Sequence, residues 1–259
     1  MRNVTAIARR ELQAYFVSPM AYIILMLVIF IFGYFFLLYT FFYSEVSMQA
    51  SMNPAAADSL NVHEVIIRGL FSTLGVIWIF MAPLLSMRVF SDEKRSGTAE
   101  LILTAPVSTT QLVLGKYLGT LGFGAALLLL TAAFPLYLRL LGAPLDAGPL
   151  AAVYLGTLLL VGAFLAIGVF SSSLTANPIV AVFIAFVTCL FFWIVGSLSE
   201  AIGGGAGPLA QLLKSVSITE HYEDFLKGVV DTSGVVYYLG FIVFGLFLTT
   251  RVIDSGRWR

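Results

Sequence analysis

The sequence predicts an all-α polytopic membrane protein with six membrane-spanning helices, and three observations predict it. Of its 259 residues 59% are hydrophobic, against roughly 45–50% apolar in an ordinary soluble domain. Only 11% are charged, less than half the usual quarter or so. The apolar residues also gather into long uncharged runs instead of alternating with polar ones. A soluble fold could not hide that much apolar surface, because even a compact protein needs a solvated skin.

A helix needs about 20 mostly apolar residues to cross a bilayer core of roughly 30 Å. Six stretches meet this, at 20–43, 69–87, 117–138, 150–170, 179–198 and 235–250. They make 1–259 a single transmembrane domain. The first run is too long for a signal-peptide h-region, so no cleavable leader is expected.

Six spans put both termini on one side, and the lysines and arginines decide which. With the termini in the cytoplasm, ten of the bases and five of the acids lie inside, leaving four bases and nine acids outside. The zero formal net charge thus separates into +5 inside and −5 outside. This predicts a membrane chain with both termini on the cytoplasmic side, N-in and C-in. Nothing in the balance suggests a nucleic-acid partner.

The segments between spans have their own periodicity. In 1–19, Val4, Ile7, Ala8, Leu12, Tyr15 and Phe16 share one helical face and Arg9 and Arg10 lie elsewhere. That pattern suits an amphipathic interfacial helix, its arginines near lipid headgroups. Ser18-Pro19 reads as an N-cap with proline at the first helical position, and Asn177-Pro178 repeats it. In the external loop 199–234, Leu209, Leu212, Leu213 and Val216 form one apolar stripe and Tyr222, Phe225, Leu226 and Val229 another. Ser217 and Glu220 form a capping-box pair before the second, so two short helices are expected there.

The cytoplasmic loop 90–116 gathers most of the charge: Asp92, Glu93, Lys94, Arg95, Glu100 and Lys116. A short helix is expected to begin near Asp92 and Glu93 and run to Pro106, where proline stops it. Ser108 and Gln111 then fit a second capping box, which starts the third span in the cytoplasm. A charged helix with one apolar side, held under the membrane by two spans, suits a soluble partner. The competing reading is a solvated loop that only sets orientation.

The absent chemistry is informative. Gly115-Lys116 is followed by Tyr117 and lacks the upstream glycine of a phosphate-binding loop, so the chain is not expected to be an enzyme. The two histidines, His63 and His221, both fall in external loops, and no metal or cofactor is expected. Met48, Met52 and His63 are soft ligand types, but scattered over a loop they are ordinary residues. The six apolar runs contain no Asp, Glu, Lys, Arg or His. A carrier coupled to an ion gradient keeps such groups for use, so energy for transport would enter from outside the membrane. Gly115, Gly119 and Gly122 have the spacing that lets helices approach closely.

On these residues the chain resembles a known family. The segment DEKRSGTAELILTAPVSTTQLVLGKYLG is similar to the signature loop of ABC-2-type transporter permeases, in its acidic-basic pair, Gly-Thr, glutamate, Pro-Val and Gly-Lys. The stretches ARRELQAYFVSPMAYI and SVSITEHYEDFLKGVVDTSGVVYYL resemble the gliding-motility-type branch, to which nitrous-oxide-reductase maturation permeases are related. The resemblance implies a six-span permease that pairs as a dimer and joins a separate cytoplasmic ATP-binding subunit. It implies an elbow helix carrying Arg9, Arg10, Tyr15 and Phe16, and a coupling helix over Asp92, Glu93, Lys94, Arg95, Gly97, Thr98, Glu100 and Leu101. In it Gly97-Thr98 sets a turn and Glu100 bridges to an ATPase arginine. An external accessory protein is a further expected partner. An ATP-driven mechanotransmitter that relays motion without cargo fits the same residues, and a gradient-driven carrier or channel fits them less well.

Overall fold

A computed structural model describes residues 2–52, 61–97, 107–201 and 207–256. All regular structure among them is helical. In order these are α1 (Arg2–Val17), α2 (Pro19–Met52), a π-helical turn (His63–Ile67) leading into α3 (Arg68–Ser86), and α4 (Arg88–Arg95). They are followed by α5 (Thr109–Leu130), α6 (Ala133–Leu140), α7 (Ala147–Leu174) and α8 (Pro178–Ala201). The chain closes with α9 (Pro208–Val216), α10 (Ile218–Leu226) and α11 (Thr232–Gly256).

Six helical stretches among the described residues are long and apolar enough to cross a membrane: Ala21–Gln49, His63–Arg95, Thr109–Leu140, Ala147–Leu174, Pro178–Leu198 and Thr232–Ser255. They match the six expected runs but reach further at their ends. The second now carries Glu93 and the third Lys116.

The third span is not one continuous helix. Proline 135 has no N–H and its ring crowds the carbonyl four residues back, which is that of Thr131. The helix breaks there, at Thr131–Ala132, before α6 resumes. The Thr131 hydroxyl donates to the Leu128 carbonyl at 2.6 Å, so the break is closed locally.

Helix α7 is the hub, packing against α3, α4, α5, α8, α10 and α11. Its most apolar window is 67% buried, against 28%, 28% and 22% for the first, fifth and sixth spans. Small residues explain why so many neighbours fit. In lipid, helices gain little from leaving water and associate through close packing, which glycine and alanine permit. A Cβ at Gly156 would lie 2.3 Å from the Phe225 Cβ, and one at Gly168 would lie 1.8 Å from the Ser86 Oγ. The outward faces of α2, α8 and α11 keep large apolar side chains such as Phe30, Phe183 and Phe244 exposed, as a lipid-facing surface requires.

The aromatic run of the first span divides between two roles. Phe32 packs edge-on against Phe71 and Phe134 inside the bundle, while Phe30, Tyr34, Phe41 and Phe42 face outward.

Three of the expected caps form. Ser108 Oγ accepts from the Gln111 N–H at 3.3 Å and Ser217 Oγ from the Glu220 N–H at 3.4 Å. Asn177 Oδ1 accepts from the Ile179 N–H at 3.0 Å, with Pro178 opening α8. The two helices expected before the last span are α9 and α10. The stripe residues within α10, Tyr222, Phe225 and Leu226, are buried against the bundle, whereas Val229 beyond its end and Leu209 and Leu212 of α9 are exposed.

Candidate coupling site

The charged loop begins as a continuation of the second span. Pro83 lies inside α3, which bends at Met87 and continues as α4. A helix start at Asp92–Glu93 is therefore corrected: these residues occupy the last turn of a helix that starts at Arg88. It ends where the Ser96 hydroxyl donates back to the Asp92 carbonyl at 2.8 Å and Gly97 takes φ +70°. That left-handed conformation favours glycine and closes the helix. A single helix from Asp92 to Leu101 would have to pass through this stop. Thr98, Glu100 and Leu101 lie outside the described residues.

Three attachments fix α4 to the bundle. Ser172 Oγ of α7 accepts from the Phe90 and Ser91 N–H groups at 3.0 and 3.1 Å and donates to the Met87 carbonyl at 2.9 Å. One serine thus satisfies the backbone groups that the bend frees, and a buried orphan there would cost about 1–3 kcal/mol. Lys94 Nζ donates to the Ser173 carbonyl at the end of α7. Lys116 Nζ of α5 donates to the Val89 carbonyl and, at 2.6 Å, to Glu93 Oε1, and lies 4.9 Å from the centroid of the Phe90 ring. The Lys116 side chain is only 7% exposed and that of Glu93 25%. Breaking such a pair from one side leaves a charge stranded in low dielectric.

The expected interface residues divide accordingly. Asp92, Lys94, Arg95 and Gly97 are exposed, whereas Glu93 turns inward to Lys116. On the far side of the loop, Thr109 Oγ1 donates to Asp254 Oδ1 at 2.6 Å, tying the start of α5 to the end of α11.

Helix α1 completes the site. Its apolar stripe meets protein: Ile7 touches Gly115, Ala8 and Glu11 touch Gly119, Leu12 approaches Gly122, and Tyr15 stacks on Phe123 at 5.0 Å. These contacts advance together, so α1 runs alongside α5 in the same sense, on a surface that glycines keep low. The Tyr15 hydroxyl donates to the Leu85 carbonyl at 2.7 Å, while Arg9 and Arg10 are exposed. Phe16 is 43% exposed and edge-on to Phe123.

Three contributors go unassigned in the sequence reading. Glu11 is the acid on the Ile7–Tyr15 face, three to four residues from each apolar neighbour, and that spacing was the available signal. Burial pushes its carboxyl above the ordinary range, partly offset by the Lys116 ammonium and reinforced by Glu93. Lys116 is visible as the one charge inside the apolar stretch 112–130, and Ser172 as part of a serine triplet. Neither pattern says what it bonds to.

Over residues 5–252 the chain matches the family described as ABC-2 family transporter protein. The chain belongs to that family. It is therefore a multi-pass membrane protein of the permease kind found in ABC transporters, a class that works with an ATP-binding subunit. Comparison with curated proteins gives no match.

Proposed function

We propose that this permease is the membrane subunit of an ATP-driven exporter, working as a dimer with a separate cytoplasmic ATP-binding subunit. It sits in the bacterial cytoplasmic membrane with both termini inside. The exposed end of α4 and the residues to Leu101 receive the ATPase, with Glu100 pairing to an arginine of that partner. The stretches 8–23 and 215–239 favour the gliding-motility-type branch. The observation that carries this reading is the anchoring of α4: a helix with an exposed charged tip is bolted through Ser172, Lys94 and Lys116 to the ends of α7 and α5. Force on the tip would enter the hub helix and the third span directly, as a rigid lever requires.

Affinity purification of the tagged chain from native membranes tests this. An ATP-binding protein should accompany the wild type and be lost with Glu100→Arg while the permease remains folded. Retention of the partner by Glu100→Arg removes Glu100 from the contact, and absence of any ATP-binding partner overturns the reading.

A further inference from the structure

A cavity of about 310 Å³ opens between α1, the start of α2 and the bend from α3 to α4. The lining is two-sided. Ala21, Ile24 and Leu84 supply an apolar wall, and Glu11, Arg88, Asp92, Glu93 and Lys116 supply a charged one.

The charged wall holds three acids and two bases, and the bases are unequally engaged. Lys116 is committed to Glu93 and the Val89 carbonyl. Arg88 is 57% exposed and meets Asp92 only at 4.0 Å, so its guanidinium has donors to spare. The Glu11 side chain makes no hydrogen bond among the described residues, although it is largely enclosed. A carboxylate held that way needs a proton or a cation, because burial penalises its charged form. Its raised pKa agrees with that deficit.

We propose that this cavity binds the ethanolamine-type headgroup of a phospholipid, its primary ammonium at Glu11, its phosphate at Arg88, and an acyl chain along Ile24 and Leu84. The chemistry selects among lipids. A primary ammonium donates N–H bonds to Glu11 that a quaternary ammonium cannot make. A headgroup without an amine could still place its phosphate at Arg88 but would bring no cation to Glu11. The apolar wall gives an acyl chain a place that a soluble amine would leave empty. The site stands independently of any ATPase partner, and its consequence is structural: a bound headgroup would tie α1 to the bend above α4.

The test uses the full-length protein, stripped of lipid in detergent and given back dioleoyl lipids with ethanolamine, choline or glycerol headgroups. Native mass spectrometry reads the lipid retained, and a thermal unfolding scan reads the stabilisation. The ethanolamine lipid should be retained about tenfold more than the other two, as one charge-assisted hydrogen bond allows, and should raise the midpoint. Glu11→Gln should bring its retention down to the choline level. Arg88→Gln, at an exposed position that folding tolerates, should lower it too. Equal retention of the three lipids, or no change in both variants, overturns the proposal. An equal midpoint rise with soluble phosphoethanolamine at matched concentration overturns its lipid part.

Discussion

The two ends of the bundle are held by different chemistry. At the α4 end a buried ammonium, Lys116, grips a carboxylate and a carbonyl. At the α10 end neutral hydroxyls do the equivalent work. The Tyr222 hydroxyl lies 2.8 Å from Thr157 Oγ1 and donates to the Phe71 carbonyl at 3.1 Å, and Tyr238 and Tyr237 donate to the Ile218 and Val216 carbonyls. The charges at that end, Arg68 with Glu64 and Glu223, stay half-exposed on the rim. The tyrosine bonds at the α10 end are neutral hydroxyl-to-oxygen contacts, with no ion in them. A lever held by an ion pair can be pulled apart by a competing charge and reset, at a cost tuned by desolvation. On the proposed function, the α10 end would stay in place and the α4 end would be the one that moves.

The largest effect should come from breaking the α4 end on one side. Lys116→Met takes the buried ammonium away from Glu93 and the Val89 carbonyl and should cost about 3–5 kcal/mol, read as a lower midpoint in denaturant titration of the purified protein. Adding Glu93→Leu should recover most of that loss, since an apolar pair of similar volume replaces the ions. If the double variant is no better than the single, the ion pair is not what holds α4.

A smaller effect is expected where the α10 end relies on shape. Gly156→Val forces a side chain into Phe225 and should cost about 1–3 kcal/mol by overpacking, with faster proteolysis of the loop before α11. Tyr222→Phe removes a hydroxyl whose partners keep other bonds, Thr157 to the Val153 carbonyl among them, and should cost about 1 kcal/mol. That loss should be the same at pH 6 and pH 8.

The smallest effect is pH-dependent. Folding raises the Glu11 pKa above its ordinary 4.5, so the fold prefers the protonated carboxyl. Its contribution is full below the unfolded value and is lost as pH rises through the raised one. Glu11→Gln imitates the protonated form. In phospholipid-free detergent the variant should match the wild type near pH 4 and gain on it toward neutral pH, in paired thermal scans. A gap that stays constant with pH would mean that Glu11 is well solvated.

Much of this architecture is legible in the sequence because it is local. Span existence follows from apolar length, and the caps at Ser108, Asn177 and Ser217 follow from a side chain reaching its own helix start. The small-residue row Gly115, Gly119, Gly122 signals close packing, and α1 fills it. Pairings between distant segments are not legible. The Lys116–Glu93 bond joins residues 23 apart, and the Ser172 bridge to the bend spans more than 80. Both depend on how the spans are arranged, which periodicity does not encode. The stop at Gly97 was open to a sequence reading, since glycine after a basic last turn is a C-terminal signal. The acids at Asp92 and Glu93 pull the opposite way, as residues that suit a helix start.

The most direct measurement places a photo-crosslinking amino acid at Arg95, on the exposed tip of α4, and another at Leu136 of α6, exposed far along the third span. Irradiated native membranes are then analysed by mass spectrometry. An adduct with an ATP-binding protein is expected at Arg95 and none at Leu136. No such adduct at Arg95, or one at both positions, would contradict the proposed function.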